Sequence, residues 1–522
     1  MSFLKLLQPP SLHLHLHFNH NYNHRSLYFH HQYHHSHRIL TQPFFSKIHN
    51  FTSSSKRIVV SSILQTDDGV TSSNSDSCSA EHDNDDDVRI VAVVGEGAIS
   101  PLKSASWLDV MIHTAERLKW VDEQYEMLVF TDNISNSNQN LQRELTTANI
   151  LLVISVTDPE PVEWIQRYTQ KIPNVVCFDS SPALENKLGG SSVNKKTKET
   201  AKTILESWVR YNSDDIRFCL LLIINSYIKP VPILKNLRAQ GLSTLNCMVK
   251  NCGIQVLNCL LDPNCRKALQ CLNECSPVDQ VCNYQCIASY ESPILEEFSL
   301  CVLQKHNCLD LDAKIPEKPF VPPMVKFRGE PLSHETAEDL FIGWLGKTEW
   351  SWRVVAGQNP AYDQFPCQYQ LFYRGKAKGS FWYEPVFQVK TLDGKLVWRR
   401  RKYRVKRGKV VGTFQFSVLD NGVVSNENWT VVDVADDLSW GLFHYSGAAR
   451  VAGQSYTGAV LVSPDGEYPN DGEMSGLLSA LGRCCIKDWE LFDVDNRSCS
   501  GPPLGLPEGS RLHTVVEVGD LK

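Results

Sequence analysis

The sequence predicts a multidomain chain of α/β plus all-β class: a doubly wound α/β domain, then a disulfide-rich, mostly helical domain, then an antiparallel β-barrel. Three observations carry this. Apolar runs alternate with helix-like stretches from Val88 to about residue 212, ten cysteines crowd between Cys247 and Cys308, and short alternating strands with hairpin signals fill most of the chain from residue 331 onward.

Ahead of these lies a segment of another composition. Residues 1–66 contain no Asp or Glu and hold eleven of the seventeen histidines, among Ser, Asn, Arg and Lys. That is the make-up of an organellar transit peptide. A metal-binding histidine tract is the competing reading, but no acidic or cysteine partner stands near it. Acid enters at Asp67, and residues 67–87 read as a disordered acidic linker. The net charge of −6 sets nucleic acid aside, and no apolar run reaches the roughly 18 residues of a membrane span.

The α/β domain is expected over 88–216. Strands at Val88–Val94, Met127–Thr131, Ile150–Val156 and Val175–Phe178 alternate with helices at Ser104–Lys119, Asn138–Thr147, Pro159–Thr169 and Lys195–Tyr211. Strands apolar throughout and separated by helices imply a parallel sheet covered on both faces, of Rossmann or flavodoxin type. The Gly95-Glu96-Gly97 turn lacks the third glycine of a dinucleotide loop, with Ser100 in its place, so a tight strand-to-helix turn is the simpler reading.

The cysteine-rich helical domain is expected over 217–312. Cys247, Cys252, Cys259, Cys265, Cys271, Cys275, Cys282, Cys286, Cys301 and Cys308 contain no C-x2-C knuckle, and His306 has no partner at ligand spacing. Disulfides therefore fit better than a metal, although spacing leaves the pairing open. Cross-links would also hold together a segment too small for a good core.

A Pro-rich linker, 313–330, leads to a barrel over 331–503 and a C-terminal tail over 504–522. Asp393-Gly394, Asn421-Gly422 and Asp465-Gly466 mark hairpins. Tryptophans at 350, 352, 382, 398, 429 and 440 are candidates to line the interior, with Trp352, Trp382 and Trp429 placed against a ligand. The basic run Arg399–Arg407 is expected as a charged face or edge, with anionic lipid as its functional alternative.

The cysteine spacing, the Pro linker, Gly357-Gln358-Asn359-Pro360-Ala361-Tyr362-Asp363-Gln364-Phe365-Pro366-Cys367-Gln368 and Tyr456-Thr457-Gly458-Ala459-Val460-Leu461 together resemble the violaxanthin de-epoxidase family over about Cys247 to Pro503. The resemblance implies a lipocalin-like barrel, a chloroplast location, a xanthophyll such as violaxanthin in the barrel, ascorbate as co-substrate with no bound cofactor, a thylakoid lipid surface as neighbour, and a disulfide between Cys367 and Cys499. Disulfides favour an oxidising space such as the thylakoid lumen, yet no second apolar targeting segment follows the transit region, which leaves lumen and stroma both open. The α/β domain has no counterpart in that family.

The family's proposed acids carry over onto Asn428, in Ser425-Asn426-Glu427-Asn428-Trp429, and onto Val462, neither of which donates a proton. Glu427 adjoins Asn428 and, with strand alternation, is expected to face away from a ligand unless the register slips by one residue. Pro366 and Gln370 stand where the family has titrating groups. Asp363, Gln368 and Tyr445 match its pattern, which leaves Asp363 and Tyr445 as the catalytic candidates and Gln368 as a ligand contact. On this count a xanthophyll-binding carrier is expected, with an ascorbate-dependent de-epoxidase or an epoxide isomerase as the alternative.

Overall fold

The computed structural model describes residues 87–189, 213–235, 241–275, 280–359, 361–363, 365–377, 379–513 and 515–519. The expected transit region, nearly all of the acidic linker and the expected helix at Lys195–Tyr211 lie outside them.

Four parallel strands, β1 (Val88–Val94), β2 (Tyr125–Thr131), β3 (Ile150–Ile154) and β4 (Asn174–Phe178), form a sheet of order β2-β1-β3-β4. Side chains alternate along β1 into two separate cores: Ile90 and Ala92 pack with helix α1 (Trp107–Lys119), and Val91 and Val93 with α2 (Ile134–Thr147) and α3 (Pro159–Thr169). Both faces are therefore covered, which is why these strands are apolar throughout. Helix α4 (Ser213–Tyr227) crosses the expected 216/217 boundary, and its Ile216, Leu220, Ile223 and Ile224 complete the α1 face. This corrects the assignment of the run Phe218–Ile224 to the cysteine-rich domain. A short helical turn, Pro232–Lys235, comes next. The Gly95 turn is no phosphate cradle. Its Cα lies so close to the Ser155 carbonyl that a Cβ would come within 2.1 Å, and the Glu96 N–H donates to Asp132 at 2.8 Å.

Helices α5 (Gly241–Leu261), α6 (Pro263–Glu274), α7 (Gln280–Tyr290) and α8 (Pro293–Ser299), with a π-helical turn at Leu300–Lys305, build the cysteine-rich domain. The pairs are Cys247–Cys308, Cys252–Cys301, Cys259–Cys265, Cys271–Cys286 and Cys275–Cys282. Buried cysteines, Cys252, Cys259, Cys265, Cys301 and Cys308, make up much of its core beside Met248, Leu295 and Phe298, so cross-links do much of the holding that apolar burial does elsewhere.

After a two-strand ribbon, β5 (Lys326–Phe327) and β6 (Glu330–Pro331), and helix α9 (His334–Ile342), comes the barrel. Its strands are β7 (Trp352–Gly357), β8 (Tyr369–Arg374), β9 (Phe381–Lys390), β10 (Leu396–Arg400), β11 (Tyr403–Arg407), β12 (Thr413–Asp420), β13 (Val423–Val434), β14 (Gly441–Ala449) and β15 (Gln454–Ser463). All neighbours are antiparallel. β10 and β11 act as one broken strand along β9, and β15 returns to β7, so eight strands close the ring. Helix α10 (Met474–Arg483) covers the outer face of β13 and β14, and β16 (Phe492–Asp493) pairs with β7.

Phe341, from α9, fills one end of the barrel. Its ring stacks on Phe443 at 4.5 Å and meets Phe372 and Phe414 at 4.8 and 5.0 Å. The tail beyond Pro503 also packs here: Val516 is buried in the barrel core, and the N–H groups of Val515 and Val516 donate to Asp339 of α9.

The basic run divides: Lys402, Arg404, Lys406 and Arg407 are exposed, as expected of a charged face, whereas Arg399, Arg400 and Arg401 are half-buried and paired. Arg399 and Arg401 lie 3.1 and 2.9 Å from Glu291, just past α7, Arg401 is 2.6 Å from Asp420, and Arg400 donates to the Pro503 carbonyl at 2.8 Å. These arginines fasten the cysteine-rich domain and the tail to the barrel.

Candidate functional site

The end of the barrel away from Phe341 is polar inside, and the loop leaving β7 builds it. Asp363 folds back over Gly357, where a Cβ would stand 2.2 Å from the Asp363 Cβ. Its Oδ2 accepts the Asn359 N–H at 2.7 Å, and Tyr445 Oη reaches Oδ1 and Oδ2 at 2.9 and 2.8 Å. Tyr445 reaches in because Gly458, opposite it on β15, leaves room: a Cβ there would lie 2.4 Å from the phenol oxygen. Burial pushes the Asp363 carboxyl up to about 7, against the downward pull of the Asn359 and Tyr445 donors. A carboxylic acid that is half protonated near neutral pH is suited to general acid work.

A second buried carboxyl shares the space. Glu427 points inward beside Trp429, accepting from Trp429 Nε1 at 2.6 Å and from Tyr456 Oη at 2.7 Å. A glycine again makes the room, since a Cβ on Gly447 would meet both Tyr456 and Glu427 within 3 Å. Burial raises the Glu427 pKa, opposed by those two donors, and its charge adds to the upward push on Asp363.

This overturns the expected orientation on β13. Glu427, Trp429 and Val431 are buried and face in, whereas Asn426 and Asn428 are exposed and face out. The one-residue slip is real, and Asn428 takes no part in the interior. Trp429 carried the signal: alternation from a tryptophan expected inside puts residue 427, not 428, on its face. Tyr456 was readable in the same way from Val462, which shares its parity and lies buried in the barrel core.

The other sequence candidates separate. Trp429 stacks between Phe416 at 4.8 Å and Tyr445 at 5.2 Å, beside both carboxyls. Trp352 is fully buried at the Phe341 end, its Nε1 donating to the Leu340 and Phe341 carbonyls at 3.0 and 3.1 Å. Trp382 is half-buried on the outward parity of β9, with the Lys402 ammonium 4.6 Å above its ring, so it lines no interior. Trp440 packs outside as well, against α10. Gln368 donates to the Tyr362 carbonyl at 3.1 Å and so braces the Asp363 loop. Gln370 accepts from Tyr383 Oη within the barrel. Cys367 is joined to Cys499, tying the same loop to the segment after β16.

The site is roofed by the cysteine-rich domain. Tyr284 of α7 packs on Tyr362 at 5.7 Å and Phe365 at 4.9 Å, and Tyr362 leads on to Tyr456 at 5.8 Å. Two buried carboxyls with their phenol partners at one end of an aromatic barrel make a site that can donate a proton to an oxygen brought beside them.

Residues 244–493 match the family model described as the VDE lipocalin domain. The chain is 23% identical over 384 residues to violaxanthin de-epoxidase, chloroplastic, of Nicotiana tabacum, a match covering 68% of this chain and 73% of that protein. The Arabidopsis thaliana protein of the same name is 23% identical over 289 residues, 54% of this chain and 57% of its own length. Among solved structures, lobster apocrustacyanin A1 aligns with 35% of this chain and 93% of its own at 11% identity and a TM-score of 0.23. The bovine lipocalin allergen Bos d 2 aligns with 27% and 88% at 7% identity and a TM-score of 0.21.

Proposed function

From a chain that carries a VDE lipocalin domain and is related to violaxanthin de-epoxidase, we propose a chloroplast enzyme that opens the epoxide of a xanthophyll such as violaxanthin, with ascorbate as reductant. The observation that carries this is Asp363, buried in the barrel with its carboxyl pushed up to about 7 and gripped by Tyr445. Opening an epoxide requires a proton on the leaving oxygen, and a desolvated carboxylic acid supplies it at mild pH. In the net reaction the epoxide oxygen leaves as water, the carbons become an alkene, and ascorbate gives up two electrons and two protons.

Asp363 protonates the oxygen, Tyr445 sets the carboxyl's orientation, and Tyr456 and Trp429 hold Glu427, the second acid. Trp429 and Phe416 offer the flat apolar wall for the polyene end ring. The carrier reading drew on Asn428 and Val462. Asn428 faces out and no longer bears on it, while the buried apolar Val462 still favours it.

The test is to incubate the full oxidised protein with violaxanthin and ascorbate in plastid galactolipid, from mildly acidic to mildly alkaline pH, and to separate the pigments. De-epoxidised product that Asp363→Asn abolishes supports the enzyme. Pigment bound but unchanged supports the carrier, and neither binding nor product overturns both.

A further inference from the structure

Arg117 belongs to the α/β domain, outside the matched family region, yet it is 2% exposed because it inserts into the barrel domain. Its guanidinium lies 3.0 and 3.1 Å from the two Glu490 carboxylate oxygens and donates to the Cys485 carbonyl at 3.2 Å. His113, one turn earlier on α1, sits 2.8 Å from the same carboxylate. With the Gln358 amide turned so that its oxygen faces the arginine, Oε1 accepts from both guanidinium nitrogens, at 3.0 and 3.3 Å.

Gln358 is the link between the two domains. It stands between Gly357, the floor under Asp363, and Asn359, whose N–H donates to Asp363 Oδ2. Its own N–H is fixed to the Ala459 carbonyl of β15 at 3.0 Å. The backbone that shapes the acid is thus held from inside by the barrel and from outside by a charged side chain of another domain. Arg117 also faces the outer side of β14, where it helps burial keep His444 near 4, next in sequence to Tyr445.

We propose that Arg117 is a positioning residue for Asp363, so that the α/β domain serves as a clamp on the acid-bearing loop of the barrel. This rests on the reading of Asp363 as the acid. A guanidinium suits the task because its planar fork can hold a carboxylate and an amide oxygen together, which an ammonium does poorly. Loss of the clamp frees Gln358, weakens the Asn359 to Asp363 hydrogen bond, and lets the carboxyl drift from the leaving oxygen.

The experiment compares full-length wild type with Arg117→Gln, Arg117→Lys, Gln358→Ala and Lys103→Ala. Lys103 makes an exposed ion pair with Asp493 across the same domain contact and serves as control. Two readouts are taken: steady-state turnover of violaxanthin against pH, and the infrared carbonyl band of protonated Asp363, identified by its loss in Asp363→Asn. The expected result for Arg117→Gln and Gln358→Ala is a fall in kcat of roughly ten- to a hundred-fold with KM within about twofold, the size of a small misplacement of a catalytic group. Their Asp363 band should titrate at higher pH, with Arg117→Lys only partly restored and Lys103→Ala unchanged. Should Arg117→Gln fail to fold, Gln358→Ala carries the test, since it keeps the Arg117–Glu490 pair. An unmoved band and an unmoved pH profile in a folded Gln358→Ala overturn the clamp. If wild type itself makes no product, the proposed function fails, and the band shift alone decides the clamp.

Discussion

Tyr445 Oη lies within 2.9 Å of both oxygens of Asp363, so one phenol spans a whole carboxylate. A donor to the ionised form pulls a carboxyl's pKa down. Tyr445→Phe removes that pull without opening the barrel, and the remaining burial pushes Asp363 higher still. The alkaline limb of the rate profile, where Asp363 loses its proton, should therefore move to higher pH, with kcat reduced roughly ten-fold or more as the carboxyl loses its orientation. An unmoved profile would show that Tyr445 does not act through Asp363.

The orientation of β13 is tested by a pair of neighbours. Glu427→Gln replaces an inward carboxyl that two donors hold, and should lower turnover roughly a hundred-fold. Asn428→Asp puts a carboxyl where the family's acid is expected, but the side chain is exposed on the outer face. It should change neither turnover nor the pigment bound. Gain of activity in Asn428→Asp would mean that the strand carries the other parity.

Legibility in the sequence tracks the range of the interactions. Strands such as Ile150–Ile154, apolar at every position, announce a sheet covered on both faces, and ten clustered cysteines announce cross-links; both are local signals. Parity on β13 was also local, in the spacing of Glu427, Trp429 and Val431, but competed with a motif match at Asn428. Phe341 was invisible as a plug because its partners come from β8, β12 and β14, distant in sequence. The Arg117–Glu490 pair spans 373 residues and joins two domains, so no window along the chain could contain it.

Asp363 also carries a stability signature. Its pKa is raised from an ordinary 3.8 to about 7 in the folded chain. A raised carboxyl binds its proton more tightly folded than unfolded, so its contribution is fully present below the unfolded value and is lost as pH rises through the folded one. Asp363→Asn cannot ionise. Relative to wild type, the variant should gain stability progressively between about pH 4 and 7 and hold that gain above, at up to about 1.4 kcal/mol for each pH unit separating the two values. Chemical denaturation of both proteins across that window is the measurement, and a difference independent of pH would place the Asp363 carboxyl outside the apolar interior.

The arginines of β10 and of the turn after it make opposite predictions under the two meanings a basic run can have. A lipid-binding run would lose vesicle affinity when any of its charges is removed, at roughly 1 kcal/mol per residue, and would keep its fold. Here Arg401 instead lies between Glu291 of the cysteine-rich domain and Asp420 at the end of β12, with 17% of its side chain exposed. Burial raises the Asp420 pKa and Arg401 opposes that rise, so removing the arginine leaves a half-buried carboxylate without its counter-ion. Breaking a buried pair costs about 3–5 kcal/mol, and the partial exposure of this one brings the expected loss for Arg401→Ala to about 1–3 kcal/mol. The loss should deepen as pH rises and Asp420 ionises. Lys406→Ala, on an exposed position of β11, should stay within about 0.5 kcal/mol of wild type. Sedimentation with anionic vesicles should not distinguish Arg401→Ala from wild type. Weakened vesicle binding with unchanged stability would return the run to the membrane and leave the seat of the cysteine-rich domain over Asp363 to its aromatic contacts, Tyr284 on Tyr362 and Phe365.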